Sequence, residues 1–170
     1  MTMPLRGDYL SSHFLECIKK GEHLATFDML HVNLNYRDEK GRNALYFAIE
    51  NNHSDNVIFL IQNGTALMVS PKNHALFHAV ICDDLESVKL LISKGIDIDI
   101  RDDGYKTPMM CAVYHDRERI FKYLVNHGAD ILKMDVKHNM AIDYAYRCKS
   151  NLIQEILQWR MVHEEGKYEG

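Results

Sequence analysis

The sequence is poor in the features that mark secreted and membrane proteins. Its 170 residues include only four cysteines, too few for the disulfide framework of a small secreted domain. The longest apolar runs fall far short of the roughly 20 residues that span a bilayer. The opening stretch MTMPLRGDYLSS also lacks the apolar core of a secretory signal. We therefore expect reduced thiols, no membrane association and a cytoplasmic location.

Motifs of the common catalytic and nucleotide-binding sites are also missing. The sequence contains no G-x-x-x-x-G-K-[ST], G-x-G-x-x-G, H-E-x-x-H or G-x-S-x-G. Cys17 could be considered a nucleophile, but its place in an apolar helix is more simply that of a small core residue. A net charge of -4 gives no general attraction to nucleic acid. These absences predict that the protein is not an enzyme, needs no cofactor and binds no nucleic acid.

What the sequence does contain is a unit that recurs every 31 to 33 residues, with copies that begin at Asn43, His74, Thr107 and Met140. A small residue stands at the same place in each copy: Ala48, Ala79, Ala112 and Ala145. Farther on, each copy carries an apolar pair: Phe59-Leu60, Leu90-Leu91, Tyr123-Leu124 and Ile156-Leu157. Three copies then close on a glycine: Gly64, Gly95 and Gly128. Recurrence in several columns at one period indicates a repeat protein.

The spacing defines the structural unit. Each copy predicts a helix of about eight residues, a short break, a second helix of about ten residues and a loop that begins at glycine. The breaks carry Asn52, Asp83 and Asp116, residue types that tolerate the left-handed backbone conformation. The alanine column allows neighbouring first helices to approach closely. Because no single unit can bury its own apolar face, the units must stack.

These residues resemble the ankyrin repeat family, whose pattern runs roughly D-x-x-G-x-T-P-L-H-x-A-A, then G-H-x-x-V-V-x-x-L-L, then G-A-D. The copy at 102–130 matches it at Asp102, Thr107, Pro108, Ala112, Gly128, Ala129 and Asp130. The copy at 38–64 matches it at Asp38, Gly41, Ala44, Leu45, Ala48, His53, Val57, Leu60 and Gly64. The resemblance implies an all-α ankyrin-repeat solenoid of about five helix-turn-helix repeats with short β-hairpin-like loops.

The resemblance covers residues 11–160 as a single domain. The expected repeats are 11–37, 38–68, 69–101, 102–134 and 135–160, between an N-terminal tail at 1–10 and a polar C-terminal tail at 161–170. The first repeat is degenerate, and the fifth lacks the closing glycine and should form a cap.

Two loops and one helix position depart from the family pattern. The stretch VSPK before Asn73 is two residues short, so the finger there should be shorter or misshapen. In DDGYKTP the glycine stands one place early, which leaves the turn type open. The family histidine of the first helix is replaced in every copy, by Tyr46, Phe77, Met110 and Asp143. Side-chain packing must therefore replace the hydrogen bonding that this histidine supplies in the family.

Two pentapeptides, HAVIC at 78–82 and CAVYH at 111–115, pair a histidine with a cysteine four residues apart in opposite order. His78, Cys82, Cys111 and His115 could therefore be four zinc ligands. Alternatively they are variable positions of the repeat, half-buried or facing a partner, because Ala79 and Ala112 belong to the alanine column. Tetrahedral zinc requires donors about 2.0 to 2.3 Å from one ion, whereas stacked helices lie roughly 8 to 10 Å apart. A partner-binding stripe is favoured over a metal site.

The function expected from the resemblance is binding of another protein, through loop tips and the ends of first helices. The residues at these positions that we select as partner-binding candidates are Arg37, Lys40, Arg42, Glu50, Arg101, Asp103, Tyr105, Lys106, Tyr114, His115 and Arg147. Several are basic or aromatic, which favours a partner with an acidic surface. We expect a monomer that acts as an adaptor or a stoichiometric inhibitor, such as a toxin-immunity protein or a bacterial effector. The alternative is a metal- or redox-responsive module built on the Cys/His stripe of repeats 3–5, which consists of His78, Cys82, Cys111, His115 and Cys148.

Overall fold

The computed structural model describes residues 6–22, 31–147 and 150–165. The chain divides into two compact units, residues 1–90 and 91–170, and the division falls within one helix. The second helix expected for the first repeat would fall on residues 23–30, which lie outside the described residues. Among the residues described, no helix is long and apolar enough to cross a bilayer.

Helices α1 to α5 and one short hairpin form the first part of the chain. The helices are α1 (Arg6–Lys19), α2 (Ala44–Glu50), α3 (Ser54–Gln62), α4 (Ala75–Ile81) and α5 (Leu85–Ser93), the last of which contains the division between the units. Strands β1 (Met68–Ser70) and β2 (Asn73–His74) pair antiparallel between α3 and α4. Only Pro71 and Lys72 separate the strands, which explains the shortened finger that the stretch VSPK predicted.

The described residues of the second unit form four further helices. They are α6 (Pro108–Tyr114), α7 (Glu118–Asn126), α8 (Ala141–Ala145) and α9 (Asn151–Glu165). First helices of successive repeats pack on one another within each unit, α1 on α2, α2 on α4, and α6 on α8. Helices α2 to α7 have seven or nine residues, close to the predicted lengths, whereas α8 has only five. The predominantly helical fold confirms the predicted class.

The repeat columns are the core. Ala48, Ala79, Ala112 and Ala145 have no exposed surface. The second residue of each apolar pair is also buried, at Leu60, Leu91, Leu124 and Leu157. Glycine and its substitutes end the helices as predicted, because Gly64, Gly95 and Gly128 and the break residues Asn52, Asp83 and Asp116 all have positive φ. Cys17 is buried in α1, in agreement with its reading as a core residue.

Both terminal helices extend beyond the predicted repeats. α1 begins at Arg6, so residues 6–10, expected in the N-terminal tail, are helical. α9 continues to Glu165, through residues 161–165 of the expected C-terminal tail. Met161 stands where three other copies have their closing glycine. Because no left-handed residue stops the helix there, α9 runs on.

The alanine column can be tested by overpacking. Ala112→Leu should lower the free energy of unfolding by about 1 to 3 kcal/mol, because it forces bulk between α6 and α8. Asn126→Leu adds a leucine at an exposed position of α7 and should change stability little. Urea denaturation of both variants measures the difference. Equal midpoints for the two variants would show that Ala112 does not lie at a packed contact.

Candidate functional site

Three loops that precede first helices are closed by the same interaction, an aspartate carboxylate that accepts two backbone N–H groups. Asp38 Oδ1 accepts from the amides of Lys40 and Arg42, at 3.0 and 2.9 Å. Asp102 Oδ1 accepts from Gly104 and Lys106, both at 2.8 Å. Asp135 Oδ1 accepts from Lys137 and Asn139 in the third loop, at 2.8 and 2.9 Å. These side-chain bonds fix each loop and place the residue that follows at the start of a helix.

One residue of each loop adopts the left-handed backbone conformation, with positive φ. It is Gly41 in the first loop, at φ 74°, but Tyr105 and His138 in the other two, both at φ 60°. This resolves the turn that the displaced glycine of DDGYKTP left open, because Tyr105 occupies the glycine position of the turn. A side chain in this conformation costs free energy. At Gly41 a side chain is also excluded by space, since an added Cβ would lie 2.7 Å from Pro71 Cγ.

In the first unit, the two arginines predicted to bind a partner are used within the protein. The guanidinium of Arg37 donates to the carbonyls of Gly41 and Met68, both at 2.7 Å. Arg42 donates to Asp38 Oδ2 from Nε at 2.9 Å and from a terminal nitrogen at 2.7 Å. Its guanidinium also lies 4.7 Å from the ring centroid of Phe47. Both side chains are thus hydrogen-bonded within the first unit, and their role in partner binding stays a prediction.

The paired arginine also affects the loop aspartate. Burial alone would raise the pKa of Asp38, but the hydrogen bonds and charge of Arg42 outweigh it, so the pKa is lowered. The remaining candidates of this unit, Lys40 and Glu50, are exposed.

The second unit brings several of the predicted residues together. The Lys106 ammonium nitrogen lies 5.9 Å from the ring centroid of Tyr114 and 5.8 Å from that of Tyr144. The two tyrosine rings are 6.2 Å apart and nearly perpendicular, at 87°. His115 packs edge-on against Tyr114, with centroids 5.0 Å apart. We call these four residues, Lys106, Tyr114, His115 and Tyr144, the Tyr114 surface.

The Tyr114 surface combines one fixed ring with one exposed ring. Tyr144 is buried, and its hydroxyl donates to Asp135 Oδ2 at 2.6 Å. Tyr114 is 61% exposed. The pKa of His115 is lowered, first by burial and then by the charges of Arg117 and Lys106, which favours the neutral imidazole. The surface therefore presents an aromatic face and one ammonium group, held in place by a buried support.

The other candidates of the second unit are exposed as predicted. Arg101 lies over Tyr105, with its guanidinium carbon 5.4 Å from the ring centroid. Asp103 and Arg147 are also exposed. The neighbouring loops are joined by a backbone hydrogen bond from Val136 N to Gly104 O at 3.0 Å.

The histidine and cysteine of HAVIC lie in a packed environment. His78 is 4% exposed and stacks on Tyr46 with centroids 3.9 Å apart. Its Nδ1 faces the Asn73 amide at 3.5 Å and its Nε2 faces the Tyr46 carbonyl at 3.2 Å. An imidazole that accepts from Asn73 and donates to Tyr46 has no lone pair left for a metal. The prediction of half-buried or surface-facing positions is therefore wrong for His78, because its ring fills space beside Tyr46.

The Cys111 thiol is poorly suited to metal or redox chemistry. Burial, and then the Asp102 charge, raise the pKa of Cys111 to about 12, whereas a nucleophile or a metal ligand needs the thiolate. The sulfur of Cys82 lies 3.7 Å from His78 Nε2. Cys148 lies outside the described residues. Within residues 6–22, 31–147 and 150–165, no three metal-ligating side chains are grouped as a site requires.

Sequence reasoning missed two features of the second unit. No sequence pattern showed that the ring of Tyr144 lies beside Lys106. Trp159 is 60% exposed on α9 and lines a groove of about 410 Å³ with Lys122, Val125 and Ile156. The equivalent residues Gln62, Ser93 and Asn126 are polar. A tryptophan in an otherwise polar column was the available signal.

The left-handed position of the third loop generates a stability prediction. His138→Gly should raise the free energy of unfolding by about 0.5 to 1 kcal/mol, because glycine relieves the strain of positive φ at an exposed residue. Lys137→Gly, one residue earlier and also exposed, should lower it by a similar amount. Chemical denaturation measures both. A destabilised His138→Gly variant would contradict the loop geometry.

The buried Asp135 carboxylate predicts a pH dependence. Burial raises its pKa, but hydrogen bonds from Tyr144 and Asn139 outweigh this effect and hold the pKa well below its usual range. Ionised Asp135 thus stabilises the fold above its unfolded pKa of about 3.9, and this contribution is lost as pH falls toward the folded value. Asp135→Asn should be less stable than wild type at pH 7, and the gap should narrow at acidic pH. Thermal melts from pH 7 to pH 3 would reveal an error if the gap stayed constant.

The repeat structure agrees with comparisons to known proteins. A sequence profile described as ankyrin repeats, in three copies, matches residues 14–102 and 71–135. An ankyrin repeat protein of vaccinia virus (strain Copenhagen) is 26% identical over 150 residues, which cover 88% of this chain and 26% of that protein. A putative ankyrin repeat protein of Borreliella burgdorferi is 26% identical over 106 residues, 59% of this chain and 48% of that protein.

A putative ankyrin repeat protein of fowlpox virus is 33% identical over 92 residues, which cover 51% of this chain and 20% of that protein. The chain thus spans about a quarter of the length of the vaccinia virus relative that it matches. Ankyrin repeats generally mediate protein–protein interaction, and the chain belongs to the ankyrin repeat family.

Proposed function

We propose that the protein binds a partner protein through the Tyr114 surface, as an adaptor or a stoichiometric inhibitor. The observation that carries the proposal is the exposed Tyr114 ring, supported from below by the buried Tyr144 and flanked by Lys106. A large, rigid aromatic side chain loses little conformational entropy on binding, and tyrosine is common among the residues that dominate interface energies.

The position of the surface within the repeat supports the same proposal. Lys106 belongs to a loop, while Tyr114 and His115 end the first helix of the fourth repeat. These are the parts of the repeat that the alanine and leucine columns leave free to vary. The exposed Lys106 and Tyr114 can therefore vary without disturbing the buried columns, which supports their use in recognition.

An inhibitor and an adaptor use such a surface in the same physical way, by covering part of the partner. Ankyrin repeat proteins are typically non-enzymatic binding modules, and the Tyr114 surface contains no nucleophile paired with a base. A toxin-immunity protein and a bacterial effector are two biological roles that this mode of action would serve. The raised pKa of Cys111 and the occupied ring nitrogens of His78 do not favour the metal- or redox-responsive alternative.

Tyr114→Ala should weaken partner binding by about 2 kcal/mol, roughly thirtyfold, since it removes the exposed anchor. Tyr9→Ala is the matched control, because Tyr9 is 63% exposed and lies in the first unit. Affinity purification with wild type and both variants is followed by mass spectrometry. A partner is a protein that wild type and Tyr9→Ala both retain and that Tyr114→Ala loses. Calorimetry with the identified partner then measures the change in affinity. Retention of every partner by Tyr114→Ala would refute the proposed surface.

A further inference from the structure

The three loop aspartates differ in what binds their second carboxylate oxygen. Asp38 Oδ2 accepts from the Arg42 guanidinium, at 2.7 and 2.9 Å. Asp135 Oδ2 accepts from the Tyr144 hydroxyl at 2.6 Å and from the Asn139 amide at 3.1 Å. Asp102 Oδ2 accepts no hydrogen bond from any residue in the described part of the chain. The middle loop therefore has the same backbone turn as the others but an open carboxylate oxygen.

The residue that closes the other two loops is in the same place each time. Arg42, Lys106 and Asn139 each stand four residues after the loop aspartate. Arg42 and Asn139 donate from their side chains back to that aspartate. Lys106 does not, because its ammonium nitrogen lies over the rings of Tyr114 and Tyr144 instead. Of these three side chains, only Lys106 has a donor group that lies over the Tyr114 and Tyr144 rings and not against its loop aspartate.

The ammonium group of Lys106 is available to a ligand. No carboxylate among the described residues lies within 4 Å of its ammonium nitrogen, whereas Lys19 and Lys89 each pair with a glutamate, at 2.7 and 2.8 Å. Its side chain is exposed. The exposed residues Arg101 and Arg147 add positive charge to the same unit, and Asp103 is the exposed negative charge of the same loop.

We propose that Lys106 is the residue with which the Tyr114 surface recognises a carboxylate-bearing, acidic segment of its partner, and that this requires lysine rather than arginine. The inference rests on the proposed function and specifies the chemistry of the partner. Lys106 donates to the partner carboxylate, and the ring of Tyr114 packs beside it. Both rings hold the ammonium group by cation–π attraction while leaving its N–H donors open.

The requirement for lysine follows from the repeat itself. The second repeat already has an arginine, Arg42, at this position, and its planar guanidinium group donates to the loop aspartate Asp38. The backbone turn around Asp102 matches that around Asp38, so an arginine at 106 would find the open Oδ2 and turn away from the surface. Lys106→Arg, which conserves the charge, is thus expected to weaken recognition of the acidic segment.

The test measures binding of a fluorescein-labelled hexaglutamate peptide to the full chain by fluorescence anisotropy at low ionic strength, with hexaglutamine as the uncharged probe. Wild type should bind hexaglutamate more tightly than hexaglutamine. Lys106→Arg and Lys106→Gln should each weaken hexaglutamate binding by about three- to fivefold, the magnitude of one exposed ion pair. Lys137→Arg, an exposed lysine in the next loop, should leave it unchanged.

A double-mutant cycle separates the mechanism from simple loss of charge. Asp102→Asn keeps the oxygen that accepts the loop amides but removes the negative charge that would capture an arginine. The double variant Asp102→Asn, Lys106→Arg should bind hexaglutamate with the same affinity as the single variant Asp102→Asn. Thermal melts should show Lys106→Arg at least as stable as wild type, which rules out unfolding as the cause of weaker binding.

Three outcomes would overturn the inference. Wild-type affinity in Lys106→Arg would show that lysine is not required, and equal binding of hexaglutamate and hexaglutamine would show that the surface does not read carboxylates. Failure of rescue by Asp102→Asn would also reject capture by Asp102. These results are distinct from failure of the proposed function, which appears as unchanged partner retention by Tyr114→Ala.

Discussion

The proposed recognition surface depends on the hydrogen bonds that each loop aspartate accepts. In three repeats one carboxylate oxygen accepts two backbone N–H groups and holds the loop against the start of the next helix. With the backbone fixed in this way, the second oxygen selects what the neighbouring side chain does. In the first loop, Asp38 Oδ2 accepts from Arg42, and in the third loop, Asp135 Oδ2 accepts from the Tyr144 hydroxyl. One conserved turn geometry therefore yields three different surfaces.

The fold could be predicted from the sequence because it depends on periodic constraints. A small residue where helices approach, and a left-handed residue where they end, leave repeated marks at Ala112 and Gly128. The departures have equally local causes. Tyr105 takes the left-handed position that the family gives to glycine, and α9 continues because Met161 replaces the closing glycine.

The candidate site was harder to predict because it depends on the direction of individual side chains. Position in the repeat identified Arg42 and Lys106 equally well. Only the coordinates show that the first donates to its own loop and the second lies over two aromatic rings. His78 illustrates the same limit, since its residue type suggested a ligand whereas its ring is a hydrogen-bonded part of the core. Sequence periodicity gives the column of a residue, and packing decides whether its polar atoms are available.

The central claim is that the partner contacts the fourth repeat at the Tyr114 surface. Hydrogen–deuterium exchange of the protein with and without its identified partner tests this most directly. Backbone amides at 102–116 should exchange more slowly in the complex, while those at 37–50, where Arg37 and Arg42 are bound internally, should be unchanged. Protection confined to 37–50, with no change at 102–116, would contradict the account.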